Sequence, residues 1–296
     1  MGQHPGRSGQ LQVEVTRLQP GAAASQLDQV AREDPLQVMV NSRPLGILMR
    51  TPGSDLELAL GLLFSEGLIS HVSDLDHVRI APSGQTLVPP AGVELELDPE
   101  AENLVDVHLR HPPADGPSGW QRALPSSSAC GICGSATLDA IRLTQAPVAG
   151  DLIFDPEVIF DLPRRLRAAQ GLFRTTGGLH AAGLLRAGSK ELEVAEDVGR
   201  HNAVDKLVGA ALLRGQLPLR DACLTVSGRA GFEIIQKAAA AQVALVASIS
   251  APSSLAVQVA QATGITLIGF LRGSNGNVYS HPERLSGLAA FAGKVG

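Results

Sequence analysis

The sequence predicts an α/β protein (α+β overall), with a larger C-terminal domain built on parallel strands and a smaller, β-rich N-terminal domain. Short apolar runs alternate with helices of about ten residues between 222 and 271, which is typical of right-handed βαβ units. Strand-like alternation predominates between 93 and 109. With 296 residues, 44% of them hydrophobic, the chain is long enough for two domains with separate cores.

The N-terminal third of the chain contains one predicted helix. Residues 1–30 are polar and rich in glycine and glutamine, so we expect them to be disordered. Ser54 and Glu57 have the spacing of a capping box, and Gly67 is expected to end the helix that begins there. We therefore assign residues 31–125 to a smaller α+β domain.

A stretch rich in proline, glycine and serine at 111–128 separates the two predicted domains. Such a composition is typical of domain boundaries and mobile loops. The segment SSACGICGSA overlaps its end, and we expect residues 126–136 to form a mobile loop that carries two cysteines. Residues 137–296 are then the larger α/β domain.

Two helices and a hairpin precede the parallel strands of the second domain. Pro163 is expected to open a helix that Gly171 closes. Strand-like runs on either side of the turn at 186–190 predict a β-hairpin. A further helix is expected to begin near Asn202 and to end at Gly215. Because buried parallel strands read as continuous apolar runs, the parallel sheet is expected to be covered on both faces.

Small and polar residues follow each of the three predicted parallel strands, at 227–231, 250–254 and 272–277. The carboxyl ends of parallel strands meet at one edge of the sheet, where open α/β folds bind ligands. Glycine allows the backbone to approach an anion, and Arg229 and Arg272 can bind phosphate oxygens. The turns therefore favour a site for a phosphate-bearing ligand, with plain turns as the alternative.

Two further groups of residues are ambiguous in the sequence. The segment EDVGRHNAVDK at 196–206 is a candidate site wall that includes His201 and Asn202, but its polar residues also suit the start of a helix. His180 lies in an apolar, strand-like run, where it is either a buried histidine or a residue that binds ligand or handles protons. Both alternatives stay open for each group.

The chain contains three cysteines: Cys130, Cys133 and Cys223. So small and odd a number does not fit a secreted disulfide framework, and we expect a cytoplasmic protein. Cys223 lies in an apolar strand and is interpreted as core packing. Cys130 and Cys133 precede a predicted helix, whose N-terminus favours thiolates, so we interpret them as reactive thiols. Zinc bound by these two cysteines with His180 or Cys223 is the alternative.

Composition and charge argue against two classes of partner. A net charge of −5 and an aromatic content of 3% do not suit a nucleic-acid surface. The most apolar region, 238–271, is interrupted by glutamine, serine and proline too often to span a membrane. We expect neither nucleic acid nor membrane as a partner, and a homodimer is the default assembly.

Seven segments resemble the formate dehydrogenase accessory proteins of the FdhD type: TPGSDLELALGLLFSEGLI, ACGICGSATLDAI, TGGLHAAGL, EDVGRHNAVDKLVGA, SGRAGFEIIQKAA, SISAPSSLAV and GFLRGSNGNVYSHPERL. The resemblance extends from Asn41 to Leu285 and implies a sulfurtransferase. It implies that a cysteine desulfurase loads sulfur onto the C-x-x-C motif as a persulfide. The sulfur would then pass to the molybdenum or tungsten centre of the bis-guanylyl molybdopterin cofactor, before that cofactor enters formate dehydrogenase.

The resemblance also assigns roles to individual residues. It implies that Cys130 is the persulfide carrier and that Cys133 is its partner in transfer. The cofactor is expected to be a bound substrate, and no metal of the protein's own is expected. The resemblance near the last strand and the polar clusters described above together give the expected cofactor contacts: Phe270, Leu271, Arg272, Gly273, Ser274, Asn275, Ser227, Gly228, Arg229, Ser250, His180, His201 and Asn202.

The second domain of that family resembles the cytidine deaminase fold, so a three-layer domain of this type is expected at 137–296. Zinc deaminases use an H-x-E motif followed by P-C-x-x-C. Here Ala181 and Ala182 follow His180, and the C-x-x-C motif precedes it. Deamination is therefore not expected. A zinc-dependent hydrolase and a non-catalytic cofactor-binding scaffold are the alternatives to sulfur transfer.

Overall fold

The computed structural model describes residues 9–82, 89, 92–111, 147–148 and 152–288. Its strands are β1 (Gln10–Gln19), β2 (Ala22–Ala31), β3 (Asp34–Val40), β4 (Arg43–Arg50), β5 (Leu75–Ile80), β6 (Glu94–Leu97), β7 (Leu104–Leu109), β8 (His180–Arg186), β9 (Leu192–Asp197), β10 (Ala222–Val226), β11 (Leu245–Ser248), β12 (Thr266–Arg272) and β13 (Asn275–Ser280). Its helices are α1 (Asp55–Ser65), α2 (Pro156–Ala169), α3 (Gly171–Thr176), α4 (Arg200–Leu213), α5 (Phe232–Ala240) and α6 (Ser254–Thr263). Over the described ranges, no helix is long and apolar enough to cross a membrane.

A six-stranded sheet in the order β13-β12-β11-β10-β8-β9 forms the centre of the C-terminal part. Strands β10, β11 and β12 run parallel, as predicted, while β8, β9 and β13 pair antiparallel to their neighbours. Helices α5 and α6 connect the parallel strands, and right-handed crossovers place both on one face. Helix α2 packs on β8, β9, β10 and β12 from the other face. The predicted α/β class is confirmed.

A separate five-stranded sheet in the order β4-β3-β7-β5-β6 forms the N-terminal part. Alternate residues of β3 (Leu36, Val38 and Val40) are fully buried and share one hydrophobic core with α1. Helix α1 ends where the sequence predicts, because Gly67 adopts a left-handed φ of 73° just beyond its last turn. The mixture of a sheet and one helix matches the expected α+β character of this part.

Of residues 1–30, which were expected to be disordered, residues 1–8 lie outside the described residues, and from Gln10 onward β1 and β2 form a long antiparallel hairpin. Its turn is Pro20-Gly21, in which Gly21 has a φ of 75°. Most of its side chains are exposed, and Leu18 is 82% exposed. Backbone pairing and contact with α3 hold this ribbon, so little apolar burial is needed and the polar composition did not reveal it.

Two predicted helix starts also differ from the structure. Helix α2 begins at Pro156, where the carboxylate of Asp155 accepts a hydrogen bond from the N–H of Glu157 at 3.0 Å. Pro163 therefore lies inside the helix and does not open it. At α1 the expected capping box is absent, because Ser54 has a left-handed φ of 55° and its side chain makes no capping hydrogen bond.

The N-terminal and C-terminal parts pack tightly through α1 and α4. A Cβ atom at Gly61 would lie 1.9 Å from the carbonyl oxygen of Asp205, and one at Gly209 would lie 1.9 Å from that of Glu57. Only glycine allows the two helix backbones to approach so closely. The predicted boundary near residue 126 lies outside the described residues, but the two parts it separates share this helix–helix contact.

Buried polar contacts reinforce the same junction. The ammonium group of Lys206 lies 2.7 Å from a carboxylate oxygen of Asp197, and both side chains are almost fully buried. Lys206 also donates to the carbonyl oxygen of Thr51 at 3.0 Å, and the N–H of Thr51 donates to Asp197 at 3.2 Å. The pair is therefore satisfied by the N-terminal part, as buried charges require.

Candidate functional site

A cavity of about 660 Å³ opens at the edge of the six-stranded sheet where β10 and β11 end. Ser227 follows β10, Ile249 follows β11, and His180 begins the neighbouring strand β8. Helices α2 and α3 contribute another part of the cavity wall. Open α/β sheets bind ligands beyond the carboxyl ends of their strands, so the cavity lies at the edge where the sequence predicts a site.

His180 lines this cavity and is half-buried. A Cβ atom at Gly228 would approach its Nδ1 to 3.2 Å and the Cδ of Arg200 to 3.5 Å, so glycine leaves space for both side chains. Burial lowers the pKa of His180, and the positive charges of Arg200 and His201 lower this pKa further. The ring is therefore neutral near pH 7 and can donate one hydrogen bond and accept another.

Arg200 and His201 form the first turn of α4, beside His180. The Nε of Arg200 is buried and has no hydrogen-bond partner among the described residues. The Nε2 of His201 lies 2.7 Å from a carboxylate oxygen of Glu233 in α5, and this contact lowers the pKa of Glu233. An arginine at a helix N-terminus adds positive charge where the helix dipole already favours an anion. The arrangement suits a negatively charged ligand.

The predicted turns after β10 and β11 are joined by hydrogen bonds. The hydroxyl of Ser227 accepts from the N–H of Ala181 at 2.9 Å, so this side chain links the turn to β8. Ser248, which the sequence analysis did not select, donates through its hydroxyl to the carbonyl oxygen of Gly228 at 2.8 Å. The same hydroxyl accepts from the N–H of Ser250 at 3.2 Å. These bonds fix the backbone that would face a phosphate group.

The third predicted turn is the tip of the β12–β13 hairpin. The N–H of Phe270 donates to the carbonyl oxygen of Ser250 at 3.0 Å, which joins this turn to the second one. Phe270 has a φ of 55° and is 43% exposed, and residues 272–275 are exposed, as is Arg229 on the first turn. The side chain of Leu271 instead packs in the hydrophobic core, so only its backbone is free to contact a ligand.

Asn202 is not among the residues that line the cavity. Its side-chain amide donates to the carbonyl oxygen of Met49 and to a carboxylate oxygen of Asp197, both at 2.9 Å. Within the segment 196–206, Arg200 and His201 lie beside His180, and Asp197 is its cross-strand neighbour in β9. Asn202 and Lys206 instead contact the N-terminal part, which a single sequence does not reveal, and the carboxylate of Glu196 binds the backbone of α3.

Arg167, Gln170 and Phe173 form a wall of the cavity that no sequence pattern predicted. The guanidinium carbon of Arg167 lies 4.3 Å from the centroid of the Phe173 ring. Arg167 and Phe173 lie in different helices, α2 and α3, on either side of the buried Gln170. The segment resembles an ordinary amphipathic helix followed by a loop, so its sequence contained no clear signal of a site.

The two cysteines of the C-x-x-C motif, Cys130 and Cys133, lie outside the described residues. Cys223 is fully buried in β10, and burial strongly raises the pKa of its thiol, so this thiol stays protonated and unreactive. The interpretation of Cys223 as core packing is confirmed. Within the described ranges, no cluster of three or more histidine, cysteine, aspartate or glutamate residues could hold a metal ion.

Comparison with known proteins identifies the family. Residues 31–286 match the sequence model of the FdhD/NarQ family. The chain belongs to this family. The match begins near the start of β3 and ends beyond β13, so it includes the five-stranded and six-stranded sheets, the cavity and the C-x-x-C motif.

Relatives of this FdhD/NarQ family member are similar to it over almost their whole length. It is 45% identical to the sulfur carrier protein FdhD of Streptomyces coelicolor, over 93% of this chain and 95% of the relative. It is 40% identical to the sulfur carrier protein FdhD of Sulfolobus acidocaldarius, over 92% of this chain and 97% of the relative. A solved structure assigned as a formate dehydrogenase accessory protein from Desulfotalea psychrophila matches with a TM-score of 0.68 at 26% identity, covering 93% of this chain and 99% of that one. The resemblance found in the motifs is confirmed.

Proposed function

We propose that this protein carries sulfur for formate dehydrogenase: it accepts sulfur as a persulfide on Cys130 and passes it to the bis-guanylyl molybdopterin cofactor. Membership of the FdhD/NarQ family, and relatives named as sulfur carrier proteins, support the carrier role. The cysteine desulfurase as donor and the molybdenum or tungsten centre as acceptor follow from the resemblance of the motifs. The cofactor is a substrate in this scheme and not a resident group of the protein.

The observation that carries the proposal is the cavity at the strand ends, because a sulfur carrier must hold the acceptor during transfer. Arg200 has a buried Nε without a partner among the described residues, and it lies beside the neutral His180. Arg229 and Arg272 are exposed on the turns of the same sheet edge. Arginine binds phosphate oxygens with two parallel hydrogen bonds, so this edge suits the pyrophosphate groups of a guanylyl cofactor.

The proposed chemistry has two thiolate steps. The Cys130 thiolate attacks the terminal sulfur of the desulfurase persulfide, so a new S–S bond forms and the donor cysteine leaves as a thiolate. Cys133 then attacks the inner sulfur on Cys130, which forms a Cys130–Cys133 disulfide. The terminal sulfur leaves as sulfide with the electron pair of the broken bond and binds the metal of the substrate. A thiol reductant afterwards returns the disulfide to two thiols.

The described residues bind and orient the acceptor in this scheme, and none of them reacts with sulfur. The neutral ring of His180 can hydrogen-bond the ligand without adding a further positive charge. Arg200 supplies charge from the start of α4, and Gly228 keeps the space between the two side chains open. Cys223 takes no part, because its buried thiol does not ionise.

The carrier role is tested by intact-mass measurement after incubation with a cysteine desulfurase and cysteine under non-reducing conditions. We expect the protein to gain one sulfur atom, which a reductant removes. Cys130→Ala should abolish the gain, whereas the matched control Cys223→Ala should retain it. No gain, together with one tightly bound zinc ion per chain, would contradict the proposal and favour the zinc-site alternative.

Binding of the nucleotide part is tested separately by calorimetric titration with GDP. Removing one charge-assisted hydrogen bond costs about 1.5–3 kcal/mol, so Arg229→Ala and Arg272→Ala should each weaken binding by about tenfold or more. Arg164→Ala, which removes an exposed arginine far from the turns in sequence, is the control. Unchanged affinity in both turn variants would show that the phosphates bind elsewhere.

Cysteine desulfurase and formate dehydrogenase are the proposed protein partners. A homodimer stays a prediction, which light scattering of the purified protein tests.

A further inference from the structure

We propose that Arg167 and Phe173 form a stacking subsite for a planar heteroaromatic ring, in the cavity at the start of β8 and three strands away from the predicted nucleotide turn at 272–277. The inference rests on the proposed function, in which the substrate joins a pterin to a guanine nucleotide through a pyrophosphate. It assigns the pterin end of that substrate to the wall made by α2 and α3. No sequence motif selected either residue.

The side chains of Arg167 and Phe173 stack on each other and create a flat cationic surface. The guanidinium carbon of Arg167 lies 4.3 Å from the ring centroid of Phe173, and both residues line the cavity. Arg167 is exposed, and it pairs with no carboxylate in the part of the chain that the structure describes. Delocalised guanidinium and aromatic groups both stack on flat heterocycles, so this wall suits a planar ring that also carries negative charge.

Hydrogen bonds fix the backbone of α3, the short helix that carries Phe173. The two carboxylate oxygens of Glu196 accept hydrogen bonds from the N–H groups of Leu172 and Phe173, at 3.0 and 2.8 Å. The helix ends at Gly177, whose N–H donates to the carbonyl oxygen of Phe173 at 2.8 Å. Glu196 lies in β9, so α3 is tied to the sheet, and the stacking surface is preorganised for binding.

The strand order separates the start of β8, at the cavity, from the nucleotide turn at the tip of the β12–β13 hairpin. Strand β8, which begins at the cavity with His180, is separated from β12 by β11 and β10. Three strand spacings correspond to about 14 Å. A pterin joined to a nucleotide through a pyrophosphate can span that distance along the sheet edge, with Ser227 and Gly228 between its two ends. One ligand can therefore contact both the wall and the turns.

The test uses the fluorescent pterin-6-carboxylate as the probe for the wall and GDP as the probe for the turns. The intact protein should quench pterin fluorescence in a saturable manner. Phe173→Leu and Arg167→Ala should each weaken pterin binding by about 5- to 100-fold, the range for loss of one stacking side chain. Both variants should bind GDP like the unmodified protein, and GDP should not displace the pterin.

Arg164→Ala is the matched control, because it removes an equal charge from the same helix without touching the cavity. Unchanged pterin affinity in both wall variants would overturn the inference, as would displacement of the pterin by GDP or failure of the pterin to bind. Failure of the protein to bind GDP would instead refute the nucleotide part of the proposed function. Thermal melting of Phe173→Leu shows whether a loss of binding reflects the subsite or a loss of folding.

Discussion

Replacing Glu66 with glutamine should stabilise the protein above pH 7 and leave its stability unchanged near pH 4.5. Glu66 is the C-cap residue directly after the last turn of α1, where the helix dipole disfavours a negative charge. Burial raises its pKa from 4.5 to about 7; the nearby carboxylates of Asp205 and Glu233 raise it as well, and Lys237 opposes them. The folded protein therefore favours the neutral carboxyl group at this position.

The expected change in the free energy of unfolding follows from the difference between the pKa values of Glu66 in the folded and unfolded protein. Because the folded value is higher, the neutral carboxyl favours folding fully below pH 4.5, and this contribution is lost as the pH rises through about 7. A rise from 4.5 to about 7 corresponds to about 3 kcal/mol, which is an upper limit since the side chain is only partly buried. Glu66→Gln cannot ionise and should retain most of this free energy at pH 8.5.

The assay is urea denaturation of the unmodified protein and of Glu66→Gln at pH 5 and at pH 8.5. The difference between their free energies of unfolding should be small at pH 5 and should favour the variant by about 1–3 kcal/mol at pH 8.5. Glu191→Gln, at an exposed glutamate in the β8–β9 turn, should show no such difference. Equal stability of Glu66→Gln and the unmodified protein at both pH values would refute the reasoning.

Three further predictions concern the helix junction, the buried ion pair and the core cysteine. Gly61→Ala should cost about 3 kcal/mol in urea denaturation, because the new Cβ would overlap the carbonyl oxygen of Asp205. Lys206→Met should cost about 3–5 kcal/mol in the same assay, because it leaves Asp197 buried without its cation. In the native protein, a maleimide should leave Cys223 unlabelled until denaturant is added.

Each of these predictions has a control or a contrary outcome. Gly171→Ala places a Cβ where no atom lies within 4 Å, so it should be nearly neutral, and an equal loss in both glycine variants would rule out the helix contact as the cause. A loss below about 1 kcal/mol in the lysine variant would mean that water replaces the missing charge. Rapid native labelling of Cys223, located by peptide mass mapping, would contradict its burial in β10.

The sequence was sufficient for features that depend on local patterns. The alternation of apolar runs and helices between 222 and 271 predicted β10 to β12 with α5 and α6, because buried parallel strands read as continuous apolar runs. Gly67 predicted the end of α1 through its left-handed backbone. The motifs predicted the family, and the strand-exit turns predicted the sheet edge at which the cavity lies.

Local sequence patterns gave the wrong prediction in two cases: where two residues both suit the start of a helix, and where two strands pair with little burial of their side chains. Pro156 and Pro163 both suit a first helical turn, and the cap supplied by Asp155 decided between them. The β1–β2 hairpin has exposed side chains, so its composition resembled that of a disordered segment. Backbone hydrogen bonds between strands carry no signature in the side chains.

The sequence by itself determined the fold class, the family and the edge of the sheet where the cavity lies. Only the tertiary structure decided which polar residues face that cavity. Asn202 was expected there, but it bonds to Met49, 153 positions away in sequence. Arg167 and Phe173 were not expected, and the cavity brings them to His180. The periodicity of apolar residues indicates which side chains are buried. The residues that a side chain contacts depend on how distant segments pack, and no local sequence pattern gives that information.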